Sequence, residues 1–440
     1  MIEEDKGLKK EIGVWGLTAN IVNIMIGAGI FALPALVAGV MGAGSIFTYL
    51  FCGILIMLVI LCFAEAGSKV NTTGGPYTYI ETAFGHYAGF MAGIFALGSN
   101  MLASAAVANA LVQVLATINP VFELEWVRIL FLFVLYFFFG FINFVGVKQG
   151  MGLVKLNTIL KLSPLILLAL IGWKDVSISN LHIESLPTMS SLGESSLILF
   201  FAFLGCETGL IVGGEIKNPK RTIPRSALIA IGSVVLLYIL IQMVSQGVLG
   251  DKLPDYEATP LAEVAKVVLG PFGFVLLITG TAISMFGLVS GDTLNTPRVL
   301  FALSRDDLIP FKKFSRIHPK FATPYIAIVG YCSITFVIAA TGSFEQLMII
   351  ATSSLLLLYF GVALSVIGLR KKLPSEQGDF KIPGGWTVPI LSMIIILYFL
   401  SNLPSKEIIG TVIFIIILTV LFVIINYFKR RKLIKNQPLE

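Results

Sequence analysis

The sequence predicts an all-α integral membrane protein with about twelve transmembrane helices. Of its 440 residues, 56% are hydrophobic and only 13% are charged, whereas a soluble domain has about 25% charged residues. Apolar runs of about 18 residues or more, the length that a membrane-spanning helix needs, recur along the whole chain. Two of these runs contain small or polar residues near the middle, where an ordinary span is apolar. Composition therefore indicates a membrane protein, and the two unusual runs indicate where its function lies.

The apolar runs define twelve predicted spans, with boundaries good to a few residues. In chain order they cover residues 12–40, 44–67, 84–117, 126–146, 150–172, 194–216, 226–249, 272–303, 324–341, 345–369, 387–402 and 407–428. Lys and Arg residues cluster in alternate loops, and basic residues accumulate in cytoplasmic loops. The clusters are Lys217/Lys220/Arg221/Arg225, Lys312/Lys313/Arg316/Lys320, Arg370/Lys371/Lys372 and Lys429–Lys432. We therefore predict that both termini are cytoplasmic, and we read the net charge of +6 as a topology signal rather than a nucleic-acid site.

The first span contains an expected break. Gly27, Ala28 and Gly29 lie near its middle and Pro34 lies just beyond, and glycine and proline disfavour helix by about 1 and about 3 kcal/mol relative to alanine. In hydrocarbon a helix can break only where it faces protein or a wet cavity. The break would expose N–H groups at the start of a second half-helix, where the helix dipole favours a small carboxylate. The alternative is close packing of small residues between helices.

The sixth span is interrupted in the same way, with Gly205 and Gly209 on either side of Glu207. Interrupted segments at corresponding places in two halves are typical of an inverted repeat with a binding site at the membrane midplane. We expect residues 1–440 to form a single transmembrane domain. One repeat covers about 12–172, the second covers about 194–369, and two extra helices follow at about 387–428.

Lys161 falls midway along the fifth span, about 11 residues from either end and hence roughly 16 Å from either interface. A lysine side chain cannot reach water over that distance, and a charged lysine at mid-span costs about 2.5–3.5 kcal/mol. It must therefore face the interior of the helix bundle. We interpret it as a cation substitute or proton carrier beside a substrate cavity; the alternative is a structural ion pair or a donor to carbonyls of the broken first helix.

Four acidic residues and one aromatic residue in or beside the spans have open roles. Glu207 is interpreted as a proton acceptor, a gate, or a carboxylate bonded to exposed backbone. Asp292 interrupts the eighth span and is expected to pair with Arg298 or to reach cytoplasmic water, with Lys161 as a further option. Two acidic residues at cytoplasmic span ends, Glu65 and Glu215, are expected to be solvated. Phe201, next to the second break, is a candidate shield for one side of the cavity.

An enzyme is not predicted. His86, His182 and His318 are far apart in sequence, and the chain lacks the GxSxG, HExxH and phosphate-binding glycine motifs. The four cysteines, Cys52, Cys62, Cys206 and Cys332, all sit in apolar runs, so we interpret them as small core residues rather than a metal or disulfide cluster. No cofactor or metal is expected.

Three signature segments follow the second, sixth and eighth spans. The first comprises Ala64-Glu65-Ala66-Gly67, Thr73-Gly74-Gly75-Pro76-Tyr77-Thr78-Tyr79 and Ala83-Phe84-Gly85. The second is Gly214-Glu215-Ile216-Lys217-Asn218-Pro219-Lys220-Arg221-Thr222-Ile223-Pro224-Arg225. The third comprises Pro297-Arg298-Val299-Leu300 and Ser304-Arg305-Asp306-Asp307-Leu308-Ile309-Pro310. With Gly27-Ala28-Gly29-Ile30-Phe31, these segments resemble the amino acid–polyamine–organocation (APC) transporters, and the match covers spans 1 to 10 in order.

The resemblance implies an APC/LeuT-like fold, a five-plus-five inverted repeat with broken helices 1 and 6 that works by alternating access. It places the substrate carboxylate on N–H groups of Ala28, Gly29 and their neighbours, and the amino group on carbonyls of Ile24, Met25 and Phe201–Leu204. The resulting substrate-binding set is Ile24, Met25, Gly27, Ala28, Gly29, Phe201, Ala202, Leu204 and Gly205. Phe201 corresponds to the family's aromatic gate, and Lys161 and Glu207 are the proton-coupling candidates.

The sequence departs from this family at two positions that bear on substrate range. Cys206-Glu207 replaces the Phe-Asp or Phe-Glu often found there, and Asp292 stands where the residue is usually small. Lys161 argues against sodium coupling, because an ammonium already supplies positive charge. We therefore predict sodium-independent transport of amino acids across the plasma (inner) membrane, by proton symport or by exchange. The alternatives are a polyamine or organic-cation transporter, or an amino-acid sensor that does not transport.

Overall fold

A computed structural model describes residues 10–70, 72–183, 186–257, 259–342, 344–374, 376, 378–401 and 405–435. Within these residues the secondary structure is helical, and the single β feature is an isolated parallel bridge between Ile12 and Ile216. Residues 1–9 and 436–440 lie outside this description, as do the side chains of the predicted cytoplasmic cluster Lys429–Lys432. The all-α prediction is confirmed for the described part of the chain.

Within its described residues, the first half of the chain forms seven α-helices. They are α1 (Val14–Met25), α2 (Gly29–Met41), α3 (Ser45–Lys69), α4 (Pro76–Phe84), α5 (His86–Ile118), α6 (Glu125–Val145) and α7 (Val147–Ile171). The predicted first span is thus divided between α1 and α2, and residues 26–28 between them are not helical.

The described part of the second half forms nine further α-helices. They are α8 (Met189–Phe200), α9 (Pro219–Leu249), α10 (Pro260–Leu269), α11 (Pro271–Asn295), α12 (Pro297–Arg305), α13 (Tyr325–Thr341), α14 (Phe344–Lys372), α15 (Thr387–Ser401) and α16 (Ser405–Lys435). Helices α9 to α12 each begin with proline, which is favoured there because the first helical N–H has no intrahelical acceptor. One of these prolines, Pro297, divides the predicted eighth span into α11 and α12.

Nine helical stretches among the described residues are long and apolar enough to cross a membrane. One of them, Gly29–Lys69, contains both α2 and α3. Three shorter apolar helices, α1, α13 and α15, fall below that length. These lengths support a multi-pass membrane protein, and the number of twelve spans stays a prediction.

The predicted sixth span departs most from a regular helix. Helix α8 ends at Phe200, and the chain then passes through short 3₁₀ turns at Phe201–Phe203, Thr208–Leu210 and Gly213–Glu215. Gly205 has a φ of +96°, a conformation that residues with a Cβ rarely adopt. The second half of this predicted span is therefore not a continuous α-helix.

Helix α1 lies at the centre of the helix packing. It contacts α7, α9 and α11, and α2 continues the chain against α8. Helix α16, in contrast, is mostly exposed, since only 6% of its most apolar 18-residue segment is buried. Isoleucine and valine side chains cover its outer surface. An exposed apolar surface of this kind suits contact with lipid.

Signature segments from distant parts of the sequence meet at one end of the bundle. The Gly74 N–H donates to the carbonyl of Ile211 at 2.9 Å, and the Tyr77 hydroxyl donates to the carboxylate of Asp306. Burial, and then the neighbouring charge of Asp306, raise the pKa of Glu81 above its ordinary value. The motifs thus form one connected polar cluster.

Two acidic residues predicted to be solvated are instead buried in ion pairs. Glu215 is paired with Arg298 at 3.0 Å, and these side chains are 2% and 0% exposed. Glu65 accepts two hydrogen bonds from Arg370, at 2.6 and 2.7 Å. The prediction of solvation was wrong because sequence position at a span end does not reveal that a basic residue from another helix packs over the carboxylate.

All four cysteines are free thiols buried among the described residues. This confirms their interpretation as small core residues.

The buried pair between Arg298 and Glu215 generates a stability prediction. Arg298→Met should lower the stability of the purified protein by about 3–5 kcal/mol, because the buried Glu215 carboxylate loses its ion pair with Arg298. Thermal unfolding in detergent measures the effect. Arg225→Met, at an exposed arginine, is the matched control and should leave the melting temperature nearly unchanged. Adding Glu215→Leu to Arg298→Met should recover part of the loss; equal melting of Arg298→Met and the control would contradict the prediction.

Candidate functional site

The first interruption brings the start of α2 against the second interruption. Helix α1 ends at Met25 and α2 starts at Gly29, so the first N–H groups of α2 have no intrahelical acceptor. A Cβ added to Gly29 would lie 2.8 Å from the Cα of Ala202. Glycine is required there because only a residue without a side chain permits this close approach.

Glu207 occupies the second interruption and bonds to the local backbone. Its carboxylate accepts hydrogen bonds from the Gly205 N–H at 3.2 Å, from the Thr208 hydroxyl at 3.2 Å, and from the Tyr359 hydroxyl. The residue is 1% exposed. Of the roles open for this residue, the geometry shows a carboxylate that accepts from backbone exposed at the break.

Lys161 on α7 donates to backbone carbonyls of the first interruption. Its Nζ lies 2.6 Å from the carbonyl oxygen of Asn23, 2.5 Å from that of Ile26, and 3.3 Å from that of Ser284. The side chain is fully buried, and among the described residues it has no salt bridge to a carboxylate. An ammonium with three carbonyl acceptors has all three donors satisfied.

Two hydroxyl groups from other helices bind the same stretch of backbone. The Ser284 hydroxyl on α11 lies 2.8 Å from the carbonyl oxygen of Ile26. The Tyr238 hydroxyl on α9 lies 3.1 Å from the carbonyl oxygens of both Met25 and Ala202, so it connects the two interruptions. Together with Lys161, these groups satisfy carbonyls that the end of α1 leaves without helical partners.

A small cavity lies between the two interruptions. Its walls come from the α1–α2 connection, from residues 201–208, and from faces of α5, α11 and α14. Most of the lining is apolar or glycine, and four polar side chains interrupt it: Asn100, Ser104, Thr208 and Asp292. This combination, an apolar pocket with a few polar groups, is typical of sites for small molecules.

The described cavity lining contains every predicted substrate-binding residue except Ala202. These residues are Ile24, Met25, Gly27, Ala28, Gly29, Phe201, Leu204 and Gly205. Ala202 instead packs against Gly29 and accepts from Tyr238. Lys161 and Glu207 are not among the residues that line the cavity. That any of these residues binds substrate or carries protons stays a prediction.

Asp292 lies on the cavity wall and was wrongly assigned. Its carboxylate accepts hydrogen bonds from the hydroxyls of Thr296 and Tyr331, whereas pairing with Arg298 or contact with cytoplasmic water was expected. It is 3% exposed. The expectation failed because α11 turns the residue toward the cavity and Arg298 pairs with Glu215 instead.

Sequence reasoning missed several polar residues of the site. Tyr238, Ser284 and Asn100 each stand alone within an apolar span, and this isolation was the available signal. Single hydroxyl and amide groups within spans are common as bonds between helices, so their positions alone did not separate them from ordinary packing.

Among the residues that the structure describes, no group of three or more His, Cys, Asp or Glu side chains is arranged to hold a metal ion. What the arrangement offers is a helix N-terminus, satisfied carbonyls and polar side chains around a cavity. These features suit reversible binding of a small polar molecule.

Comparison with known proteins gives a family and three relatives. A family model described as amino acid permease matches residues 12–425. The serine/threonine exchanger of Bacillus subtilis (strain 168) is 30% identical over 89% of this chain and 91% of its own length. The branched-chain amino acid permease of the same organism is 26% identical over 95% and 93%, and its methylthioribose transporter is 26% identical over 95% and 94%.

The close contact at Gly29 generates a second stability prediction. Gly29→Ala should lower the melting temperature, because the new Cβ would collide with the backbone of Ala202 and push the two interruptions apart. Gly98→Ala on α5 is the matched control, since a Cβ there meets nothing within 4 Å. Alanine is favoured over glycine inside a helix, so the control should melt at the same or a higher temperature. A Gly29→Ala protein at least as stable as Gly98→Ala would refute the close packing of the breaks.

Proposed function

We propose that this chain, which belongs to the amino acid permease family, carries amino acids across the plasma membrane by alternating access, as a sodium-independent proton symporter or exchanger. The family and the relatives are transporters, and the chain is not an enzyme. The proposal of amino acid transport by alternating access rests on one observation. A cavity lies between the two interruptions, and the start of α2 forms part of its wall.

In the proposed binding mode, the carboxylate of the substrate sits at the N-terminus of α2. The N–H groups of Ala28 and Gly29 lie at this end, and the helix dipole adds positive potential. The amino group lies toward the carbonyls at Ile24, Met25 and residues 201–204. Phe201 lines the cavity and acts as the gate that shields the substrate on one side.

In the proposed mechanism, Lys161 replaces a coupling cation. Its ammonium connects α7 to the carbonyls at the end of α1. Loss of the proton removes the charge from these contacts, loosens α1 from α7, and opens the cytoplasmic side. This role supports transport without sodium, since positive charge is already present where a sodium ion would bind.

The proposed architecture is a single domain with twelve spans and cytoplasmic termini, in which residues 12–172 and 194–369 form inverted repeats. It is supported by the occurrence of one interruption near the start of each half. Spans 1, 2, 6 and 7 would rock as a bundle against spans 3, 4, 8 and 9, and the helices after residue 387 lie outside the repeats.

Transport into proteoliposomes tests the proposal. The panel contains serine, threonine and branched-chain amino acids, chosen from the names of the relatives, together with lysine and 1,5-diaminopentane for the organic-cation alternative. Uptake is measured without sodium, with and without an inward proton gradient, and with vesicles that are empty or preloaded with amino acid. Accumulation that requires the gradient indicates symport, and uptake that requires preloading indicates exchange. Transport of the diamine alone, or of nothing by folded protein, would contradict amino acid transport.

Substitution of Lys161 tests its coupling role. Lys161→Met keeps an unbranched side chain but removes the ammonium, so we expect transport to fall at least about tenfold and its pH dependence to flatten. Uptake of the best panel substrate between pH 5 and pH 9, an interval set by the experiment, measures both effects. Lys155→Met, at an exposed lysine on the same helix, is the control and should retain the wild-type profile. Normal transport with an unchanged pH profile in Lys161→Met would rule out the role.

A further inference from the structure

We propose that Asp292 binds a primary ammonium group of the substrate and supplies the negative charge that the backbone carbonyls of the site lack. This inference rests on the proposed function and specifies the chemistry of the same cavity. It assigns a substrate-contacting role to a residue at which this sequence departs from the family it resembles.

The position of Asp292 allows direct contact with a bound molecule. It lies on the cavity wall together with Leu288, one helical turn earlier on α11. A Cβ added to Gly27 would lie 2.4 Å from Leu288 Cδ1, so this face of α11 borders the first interruption. The carboxylate therefore projects beside the place proposed for the amino acid.

The carboxylate has hydrogen-bond donors but no cation. Thr296 donates to one oxygen and Tyr331 to the other, and the Ser104 hydroxyl interacts with the same group. Two carboxylate oxygens have about four acceptor positions, so a further donor can be accommodated. Among the described residues Asp292 forms no salt bridge, and Lys161 donates to carbonyls. A buried carboxylate without a cation is unfavourable, and a substrate ammonium in the cavity would remove that penalty.

The backbone carbonyls at the first interruption are already engaged. The Tyr238 hydroxyl, which has one proton, lies 3.1 Å from the carbonyl oxygens of both Met25 and Ala202, and Ile26 accepts from both Lys161 and Ser284. These carbonyl oxygens can accept fewer further hydrogen bonds than carbonyl oxygens that have no donor nearby. The Asp292 carboxylate retains an acceptor position and, in its ionised form, carries a negative charge, so it offers the ammonium a charged acceptor that these carbonyls do not provide.

A second unsatisfied group points to a ligand in the same cavity. Asn100 lines the wall and is 4% exposed; its Oδ1 lies 3.2 Å from the Thr208 hydroxyl, whose one proton is shared with the Glu207 carboxylate at the same distance. Its Nδ2 has no hydrogen-bond partner among the described residues. A spare donor on Asn100 and a spare charged acceptor on Asp292 complement a zwitterion, which carries an acceptor carboxylate and a donor ammonium.

Asp292→Asn tests the inference because it removes the charge and keeps the shape. Affinities of full-length wild-type and variant protein are measured by ligand-induced thermal stabilisation with alanine, lysine, 1,5-diaminopentane and propionate. Loss of an ion-assisted hydrogen bond should weaken alanine binding about tenfold to hundredfold. Binding of propionate, which has a carboxylate but no ammonium, should not weaken. Structural damage to the cavity would instead weaken both ligands.

Two controls make each outcome decisive. Asp175→Asn, at an exposed aspartate, should bind all probes as wild type does. Tyr331→Phe keeps the Asp292 carboxylate and removes one of its hydrogen-bond donors, so alanine affinity should fall by less than it does in Asp292→Asn. If Asp292→Asn loses lysine and the diamine but keeps alanine, the bound ammonium is that of the side chain.

Two results would count against the inference in different ways. Wild-type affinities for all probes in Asp292→Asn, or equal losses for alanine and propionate, would overturn it and leave the proposed function intact. Failure of the wild-type protein to bind or transport any amino acid would overturn the proposed function, and the role of Asp292 would fall with it.

Discussion

The structure depends on how the peptide groups of an interrupted helix are satisfied inside an apolar bundle. Where α1 ends at Met25, several carbonyls lose their helical partners, and each such group left unsatisfied in hydrocarbon costs several kcal/mol (about 2–7). Lys161, Tyr238 and Ser284 provide the missing donors from three different helices. The interruption is therefore the point where α7, α9 and α11 are fastened together around α1.

At the second interruption an acidic side chain accepts hydrogen bonds from exposed donors. At the end of α8 the chain frees N–H groups as well as carbonyls, and the carboxylate of Glu207 accepts from Gly205 N–H and from the Thr208 hydroxyl. A buried lysine thus serves the carbonyls of one break, and a buried glutamate serves the donors of the other. The cavity lies between the two breaks.

Much of this organisation could be predicted from the sequence, because its signals are local. The segment Gly27-Ala28-Gly29, the mid-span position of Lys161 and the lengths of the spans can each be recognised from a short stretch of sequence. The two interruptions and the interior position of Lys161 were therefore visible in the sequence. The partners of Glu65, Glu215 and Asp292 were not, since each is decided by side chains that are distant in sequence. The twelve spans and the repeat symmetry stay predictions because helix length alone does not establish either.

The contact between the N-terminal segment and Glu215 has a kinetic consequence. The Glu215 carbonyl accepts from the N–H groups of Glu11 and Ile12 at 3.0 Å, and its side chain pairs with Arg298. Separating residue 12 from α12 has to break either the backbone bridge to Glu215 or the ion pair between Glu215 and Arg298. Either step removes a buried polar interaction, so these contacts raise the free-energy barrier to movement of the N-terminal segment away from α12.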